Sequence, residues 1–438
     1  MNLKAKNIKS EISGTVKAPP SKSYSHRAII LASLAEGTSK LFDMLFSEDT
    51  ISSIRACKAL GAKITKKTDY LEVIGTSRLH NKQTGPINLE NSGTTLRLIT
   101  SIAALADNET ILTGDSSLQT RPMEPLLEAL KPLGVKTSSV NGKAPITIKP
   151  GYKGGSTNIH GNISSQYISS IIISSPLSKQ GVNLTVFPEF KSKPYVDMTL
   201  DIMEKFGVTI DENSFTKHES CDKSMKECEF VHYEIKKQDY KPTEYTVEGD
   251  YSSASYLLAA AAIAGGNIKV KNLFKDSKQG DKVILDILEK MGSKINRNED
   301  SVEISSDGNL KGIDINLSNA PDLLITVAIL AALADGTTNI TGVKHARVKE
   351  TDRIDTTCRE LEKLGCELEE FEDGMSITGG IHGGEVDSHG DHRLTMAFSL
   401  INLKHPLTVT NGEVFDVSFP NFIEAMDSIG LELELVED

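Results

Sequence analysis

Six cations stand in short polar motifs spread along the chain. Lys22 and Arg27 lie in Pro19-Pro20-Ser21-Lys22-Ser23-Tyr24-Ser25-His26-Arg27, and Arg121 precedes Pro122. Lys349 and Arg353 lie in Arg347-Val348-Lys349-Glu350-Thr351-Asp352-Arg353, and Arg393 closes Gly390-Asp391-His392-Arg393. Such side chains grip phosphate and carboxylate oxygens, arginine through paired N–H donors. Ser21 is a candidate N-cap that puts Lys22 and Arg27 in the opening turns of a helix. The helix dipole disfavours cations there unless an anion completes the site; the alternative is a solvated basic turn. Lys349 and Arg353, if helical, share one face and repel each other unless an anion lies over them, with surface salt bridges as the alternative. Glu350 projects beside that face, and Asp322 opens an apolar helix. Near bound anions either carboxylate has a raised pKa, which suits general acid–base work.

Polar residues without charge complete the set. In Asn91-Ser92-Gly93-Thr94-Thr95-Leu96-Arg97, Gly93 lets a ligand reach the backbone and the next N–H groups point outward. Arg97 either binds a ligand or ties the two halves of the chain together. Ser164-Ser165-Gln166 and Ser192-Lys193-Pro194-Tyr195 place hydroxyls and an amide before helices, which suits simple capping or oxyanion binding alike. There is no Walker-type phosphate loop, no G-x-G-x-x-G opening a helix, and no His/Cys/Asp cluster with metal-ligand spacing.

These residues need a scaffold, and the chain repeats one. The segments ACKALGAKI, LEALKPLGVKT, LDIMEKFGVTI, LDILEKMGSKI, CRELEKLGCELE and FIEAMDSIGLELE carry Gly61, Gly134, Gly207, Gly292, Gly365 and Gly430. Each reads as a helix ending in a left-handed glycine and followed by a strand. Apolar helices such as 99–106, 256–264 and 323–334 run between them and lack a polar face, which predicts helices buried inside sheets. Six units of two helices and several strands form two groups of three. The least patterned stretch, 211–245, reads as an elaborated hairpin or loop that ends at Lys241-Pro242, where the chain crosses between halves.

With 438 residues, two or three domains are expected. Forty-eight basic against 60 acidic residues give a formal charge of −12, which disfavours a nucleic-acid or anionic-membrane binder. The longest strongly apolar run, 323–334, is too short to span a bilayer. Five cysteines without a C-x-x-C pair argue against a disulfide framework and for a reducing cytoplasm; MNLKAKNIKS lacks signal or transit character.

SKSYSHR, NSGTTLR, TRP, SSQ, SKPY, VEGDYSSASY, RVKETDR and GDHR, in this order, resemble the EPSP synthase (3-phosphoshikimate 1-carboxyvinyltransferase) family over nearly the whole chain. The resemblance implies the enolpyruvyl transferase fold, a two-domain inside-out α/β barrel of six β-α-β-α-β-β units, three per domain. It implies a strand segment 1–20 packing with the C-terminal domain, domains 21–241 and 242–438, and an active site in the cleft between them. The family moves the enolpyruvyl group of phosphoenolpyruvate to the 5-hydroxyl of shikimate 3-phosphate, with no metal or cofactor. Lys22, Ser23, Arg27, Ser164, Ser165, Gln166, Ser192, Tyr195, Asp322 and Lys349 are implied to bind shikimate 3-phosphate. Lys22, Gly93, Arg121, Gln166, Arg353 and Arg393 are implied to bind phosphoenolpyruvate. Asp322 would accept the hydroxyl proton, and Glu350 with Lys22 would serve the phosphoenolpyruvate methylene carbon. A monomer is expected, with no nucleic-acid or membrane partner.

Three positions depart from the family pattern. His345 stands for a frequent asparagine, and Val417 for a lysine that touches phosphoenolpyruvate. Ser92 replaces the usual alanine beside Gly93, near where glyphosate binds in the family. The rival UDP-N-acetylglucosamine enolpyruvyl transferases carry Lys-Asn and a loop cysteine, whereas Lys22 is followed by Ser23 and 114–120 has no cysteine. A non-catalytic polyanion binder would gain affinity by losing Asp322 and Glu350, yet both are present.

Overall fold

The computed structural model describes residues 1–8, 12–221 and 224–437, with 217–221 and 224–227 described by backbone alone. All six recurring glycines have positive φ, between 80° and 121°. A Cβ is disfavoured in that region, so glycine ends each helical segment where other residues would strain. The chain then enters the strands Lys63–Lys66, Lys136–Val140, Asp211–Cys221, Lys294–Arg297, Glu367–Phe371 and Leu431–Val436. The local chemistry of the repeat thus sets one turn, used six times.

Among the described residues six four-stranded sheets result, all with one topology. In each, an edge strand pairs parallel with its neighbour and the remaining pairs are antiparallel; Gly155–His160 beside Val182–Phe187 is one such parallel pair. The chain divides into two compact units, Met1–Ser21 with Glu248–Asp438, and Lys22–Val247. Each holds three sheets and its own apolar core.

Three helices per unit lie inside: Lys22–Leu34, Gly93–Ala103 and Ser165–Ser174 in one, Tyr251–Ala264, Leu324–Ala332 and His392–Ser399 in the other. All residues of Tyr251–Ala264 except Ala264 are buried, because its sequence offers no polar face to water. Each buried Leu or Ile side chain contributes about 1.5–3 kcal/mol. Several of the hydroxyls inside pair with one another or with carbonyls, since an unmet buried polar group is costly. Ser101 Oγ donates to the Ser170 carbonyl at 2.6 Å, and Ser255 and Thr326 hydroxyls meet at 3.2 Å. Strands cover these helices with alternating buried and exposed residues, as in Lys143–Lys149. Helices inside and sheets outside make the inside-out α/β arrangement of the enolpyruvyl transferase fold.

Sequence order and sheet membership part company at the chain's crossings. Asn2–Ile8 pairs with Leu431–Val436, and Ile12–Lys17 pairs parallel with Gly266–Lys271, so the N-terminus completes sheets of the Glu248–Asp438 unit. Glu244–Thr246 pairs parallel with Gly37–Phe42 in the other unit, so the chain leaves that unit at Val247, beyond Lys241-Pro242. The two crossing stretches run side by side: Ser21 N–H donates to the Glu248 carbonyl and Asp250 N–H to the Pro19 carbonyl, each at 2.8 Å.

The stretch 211–245 contains the hairpin Asp211–Cys221/Ser224–Ile235, an extension of the third unit's last two strands. Cys57, Cys358 and Cys366 are free and buried. Cys228 on this hairpin is disulfide-bonded, a correction to the expectation of unpaired cysteines; the side chain of Cys221 lies outside the described residues. Among the described residues no helix is long and apolar enough to cross a membrane.

Gly134 sits at φ 88°, and a Cβ there would lie 3.0 Å from the Gly151 carbonyl oxygen. Gly134→Ala is expected to destabilise the chain by about 1–2 kcal/mol. A urea midpoint unchanged from wild type would show that the left-handed cap does not need glycine.

Candidate active site

In the Glu248–Asp438 unit three cations from separate segments converge on one carboxylate. Asp322 lies in a single 3-10 turn, Pro321–Leu323, that leads into the buried helix Leu324–Ala332. Its Oδ1 accepts from Arg353 Nη1 at 3.0 Å and lies 3.8 Å from Lys349 Nζ, while Oδ2 accepts from Arg393 Nη2 at 3.0 Å. Arg353 also donates to Glu350 Oε2 at 2.6 Å and, through Nε, to Asp391 Oδ2 at 2.8 Å. Arg393 reaches the Ser252 hydroxyl at 2.5 Å from the same unit's first buried helix. Burial by itself would raise the Asp322 pKa, but Arg393, Lys349 and Arg353 hold it far below the usual carboxylate range. The raised pKa expected near anions is therefore not its condition beside these cations alone.

The helical reading of Lys349 and Arg353 needs correction. A short 3-10 segment, Lys344–Val348, ends at Lys349, whose φ of −91° and ψ of −147° break the helix. A new helix, Arg353–Lys363, starts after Asp352, whose carboxylate caps Asp355 N–H. The two cations meet through Asp322, not through a shared helix face. Arg347 anchors this broken segment by donating to Asp352, to Glu370 and to the Phe371 and Glu372 carbonyls. His345 lies in the 3-10 segment, and Val417 ends another, Gly412–Val417. The last buried helix starts at His392, with Asp391 as its N-cap, so Arg393 stands in its first turn.

In the Lys22–Val247 unit, Lys22 is the first residue of its helix and pairs with Asp49 at 3.0 Å. His26 Nε2 lies 3.6 Å from the same carboxylate, and its Nδ1 shares a 2.7 Å hydrogen bond with Ser53. The Ser92 hydroxyl donates to Asp49 and accepts from Thr95 N–H, so this departure from the family pattern acts as a helix cap tied to Lys22's partner. Burial alone would raise the Asp49 pKa; Lys22 and then His26 hold it well below the carboxylate range.

Gly93 opens the neighbouring helix. A Cβ there would meet Arg121 Nη1 at 2.5 Å, so glycine makes room for the guanidinium, which donates to Asn91. Gln166 donates to Thr94 at 3.0 Å and accepts from Arg97 Nη1 at 2.7 Å. Arg97 therefore joins two helices of one unit, in place of a tie between the halves. Ser164 caps Gln166 N–H, and Ser165 is buried behind it. Arg27, 1% exposed, donates to Thr199 Oγ1, the Ser23 carbonyl and the Tyr195 carbonyl at 2.8–3.0 Å. Burial lowers its pKa to about 10, so it stays charged near neutral pH. Ser192 holds the left-handed φ of 57° ahead of helix Lys193–Lys205. Sequence reasoning missed Asp49 and gave Asp391 no role. Both stand at helix starts, where an acid reads as an ordinary cap; only the pairing with a distant cation sets them apart. Among the described residues no group of three or more His, Cys, Asp or Glu side chains could hold a metal.

Buried cations matched by carboxylates stand on a scaffold of six inside-out units, the fold of the enolpyruvyl transferase class. The family model for EPSP synthase (3-phosphoshikimate 1-carboxyvinyltransferase) matches residues 6–426. A 3-phosphoshikimate 1-carboxyvinyltransferase from Methanobrevibacter smithii is 72% identical, over 100% of both chains, and one from Methanothermobacter thermautotrophicus 52%, over 97% of both. A solved EPSP synthase from Acinetobacter baumannii covers 100% of both chains with a TM-score of 0.80 at 26% identity. The chain belongs to the EPSP synthase family, transferases of the shikimate pathway. The UDP-N-acetylglucosamine alternative is not favoured.

Asp49 is held ionised in the fold and protonates near pH 4 once unfolded. Its contribution to stability is therefore present above about pH 4 and is lost as pH falls below that value. Asp49→Asn should lower the urea midpoint at pH 7 and flatten its decline between about pH 4 and pH 2. A decline as steep as wild type would show that the Lys22–Asp49 pair contributes nothing to acid sensitivity.

Proposed function

We propose that this chain transfers the enolpyruvyl group of phosphoenolpyruvate to the 5-hydroxyl of shikimate 3-phosphate. Lys22, Ser23, Arg27, Ser164, Ser165, Gln166, Ser192, Tyr195, Asp322 and Lys349 hold shikimate 3-phosphate. Lys22, Gly93, Arg121, Gln166, Arg353 and Arg393 hold phosphoenolpyruvate. The observation that carries this reading is Asp322 flanked by Lys349, Arg353 and Arg393. A carboxylate so surrounded is a poor base. Anionic substrates that compete for those cations withdraw its stabilising partners, and its proton affinity rises. Asp322 then takes the 5-hydroxyl proton as the oxygen attacks C2 of phosphoenolpyruvate, while Glu350 with Lys22 delivers a proton to the methylene carbon. The resulting tetrahedral adduct collapses by losing a proton from that same carbon and expelling phosphate, which restores the double bond. Fixed cations stabilise the charge on phosphate and carboxylate throughout. The reading keeps a monomer in the cytoplasm.

Purified chain mixed with phosphoenolpyruvate and shikimate 3-phosphate should release inorganic phosphate. Asp322→Ala should lower kcat by about 10²–10⁴-fold, the usual contribution of a general base. No release by wild type, or full turnover by Asp322→Ala, would overturn the mechanism.

A further inference from the structure

Glu360 lies near the far end of the helix that Arg353 begins and is fully buried, at 0% exposure, whereas its neighbour Glu362 faces outward. Its oxygens accept from Lys363 Nζ at 2.7 and 2.8 Å and from the backbone N–H of Asp387 at 3.1 Å, and Oε1 lies 2.7 Å from His389 Nε2. His389 adopts the left-handed φ of 51°, a region that few residues other than glycine enter. The loop it belongs to is held on its other side as well. Asp387 accepts from His389 N–H at 2.7 Å and from Asn411 Nδ2 at 3.0 Å, and Ser388 Oγ donates to the Asn411 carbonyl at 2.8 Å. This loop ends in Asp391, the N-cap of the helix that carries Arg393. Helix Arg353–Lys363 is therefore fastened to it twice, by Arg353 on Asp391 at the start and by Glu360 on Asp387 and His389 near the end.

We infer that Glu360 is a positioning residue that, with His389, sets the placement of Arg353 and Arg393 around Asp322. A buried carboxylate kept only for stability has no need to fasten a strained loop, and a well-packed apolar residue would serve that end as well. The pair of attachments instead fixes the spacing between the two guanidiniums. Two donors that must meet one anion tolerate little error, since about 1 Å of misplacement can cost on the order of 10²-fold in rate. Glu360 touches none of the six cations named above, so it acts through the loop.

The substrate side of this inference rests on the assignment of Arg353 and Arg393 to phosphoenolpyruvate. Glu360→Ala should raise KM for phosphoenolpyruvate about 10-fold more than KM for shikimate 3-phosphate. Glu360→Gln, which keeps an acceptor for Asp387 N–H, should recover part of that change. Backbone amides of 387–391 should exchange hydrogen faster in Glu360→Ala, a readout independent of any substrate. His389→Ala, at an exposed residue whose side chain is 29% accessible, should show a smaller shift in the same direction and stands in if Glu360→Ala does not fold. Unchanged exchange in 387–391, or a fall in active fraction with both KM values at wild-type level, would overturn the positioning role. Arg393→Lys separates the two readings. If it leaves KM for phosphoenolpyruvate unaltered, the substrate assignment fails, whereas the exchange result still decides whether Glu360 holds the loop.

Discussion

A buried arginine needs acceptors for its charged donors, and in the Glu248–Asp438 unit carboxylates supply them. Arg353 is 1% exposed and Arg393 5%. Burial alone would weaken the Arg353 cation, but Asp391, Glu350 and Asp322 hold its pKa above the ordinary value. Removing any one of these acids leaves a buried charge without part of its compensation, a situation that usually costs several kcal/mol. The acids come from different elements: a 3-10 turn, a break between helices, and a helix cap. Charge balance therefore constrains backbone placement across three segments at once.

The same device recurs where helices begin. Lys22, Gly93, Ser165, Lys193, Arg353 and His392 are the first residues of their helices. Free N–H groups and the positive end of the dipole gather there, which favours anions and disfavours lysine or arginine. Asp49 offsets this for Lys22, and Asp391 both caps its own helix and meets Arg353. Burying helices inside sheets makes the arrangement possible. Their sides have no water to face, so only their ends can carry polar function.

Much of this is legible in local sequence. The six glycines predict left-handed caps because the need for positive φ depends on the residue itself, and all six have it. Helices without a polar face, such as Tyr251–Ala264, announce burial by composition. The third unit's long interval reads as a hairpin or loop and is a hairpin. The motif cations are visible as residues out of keeping with the chain's charge of −12. Errors appear where a local rule was extended across a break. Charges four apart suggested one helix through Lys349 and Arg353, yet the backbone turns at Lys349. Arg97 looked like a link between halves, and its partner Gln166 is in the same unit.

By itself the sequence determined the repeat, the buried character of the helices, the positions of the cations and the family. Each of these depends on residue type and short-range spacing, which no partner can alter. Only the tertiary structure decided which acid meets which cation: Asp322 lies 31 and 71 positions from Arg353 and Arg393, and Asp49 lies 27 from Lys22. It also decided that the first two strands complete sheets begun more than two hundred residues later. Ion pairs and strand pairs depend on distance in space, and the topology of the fold sets that distance.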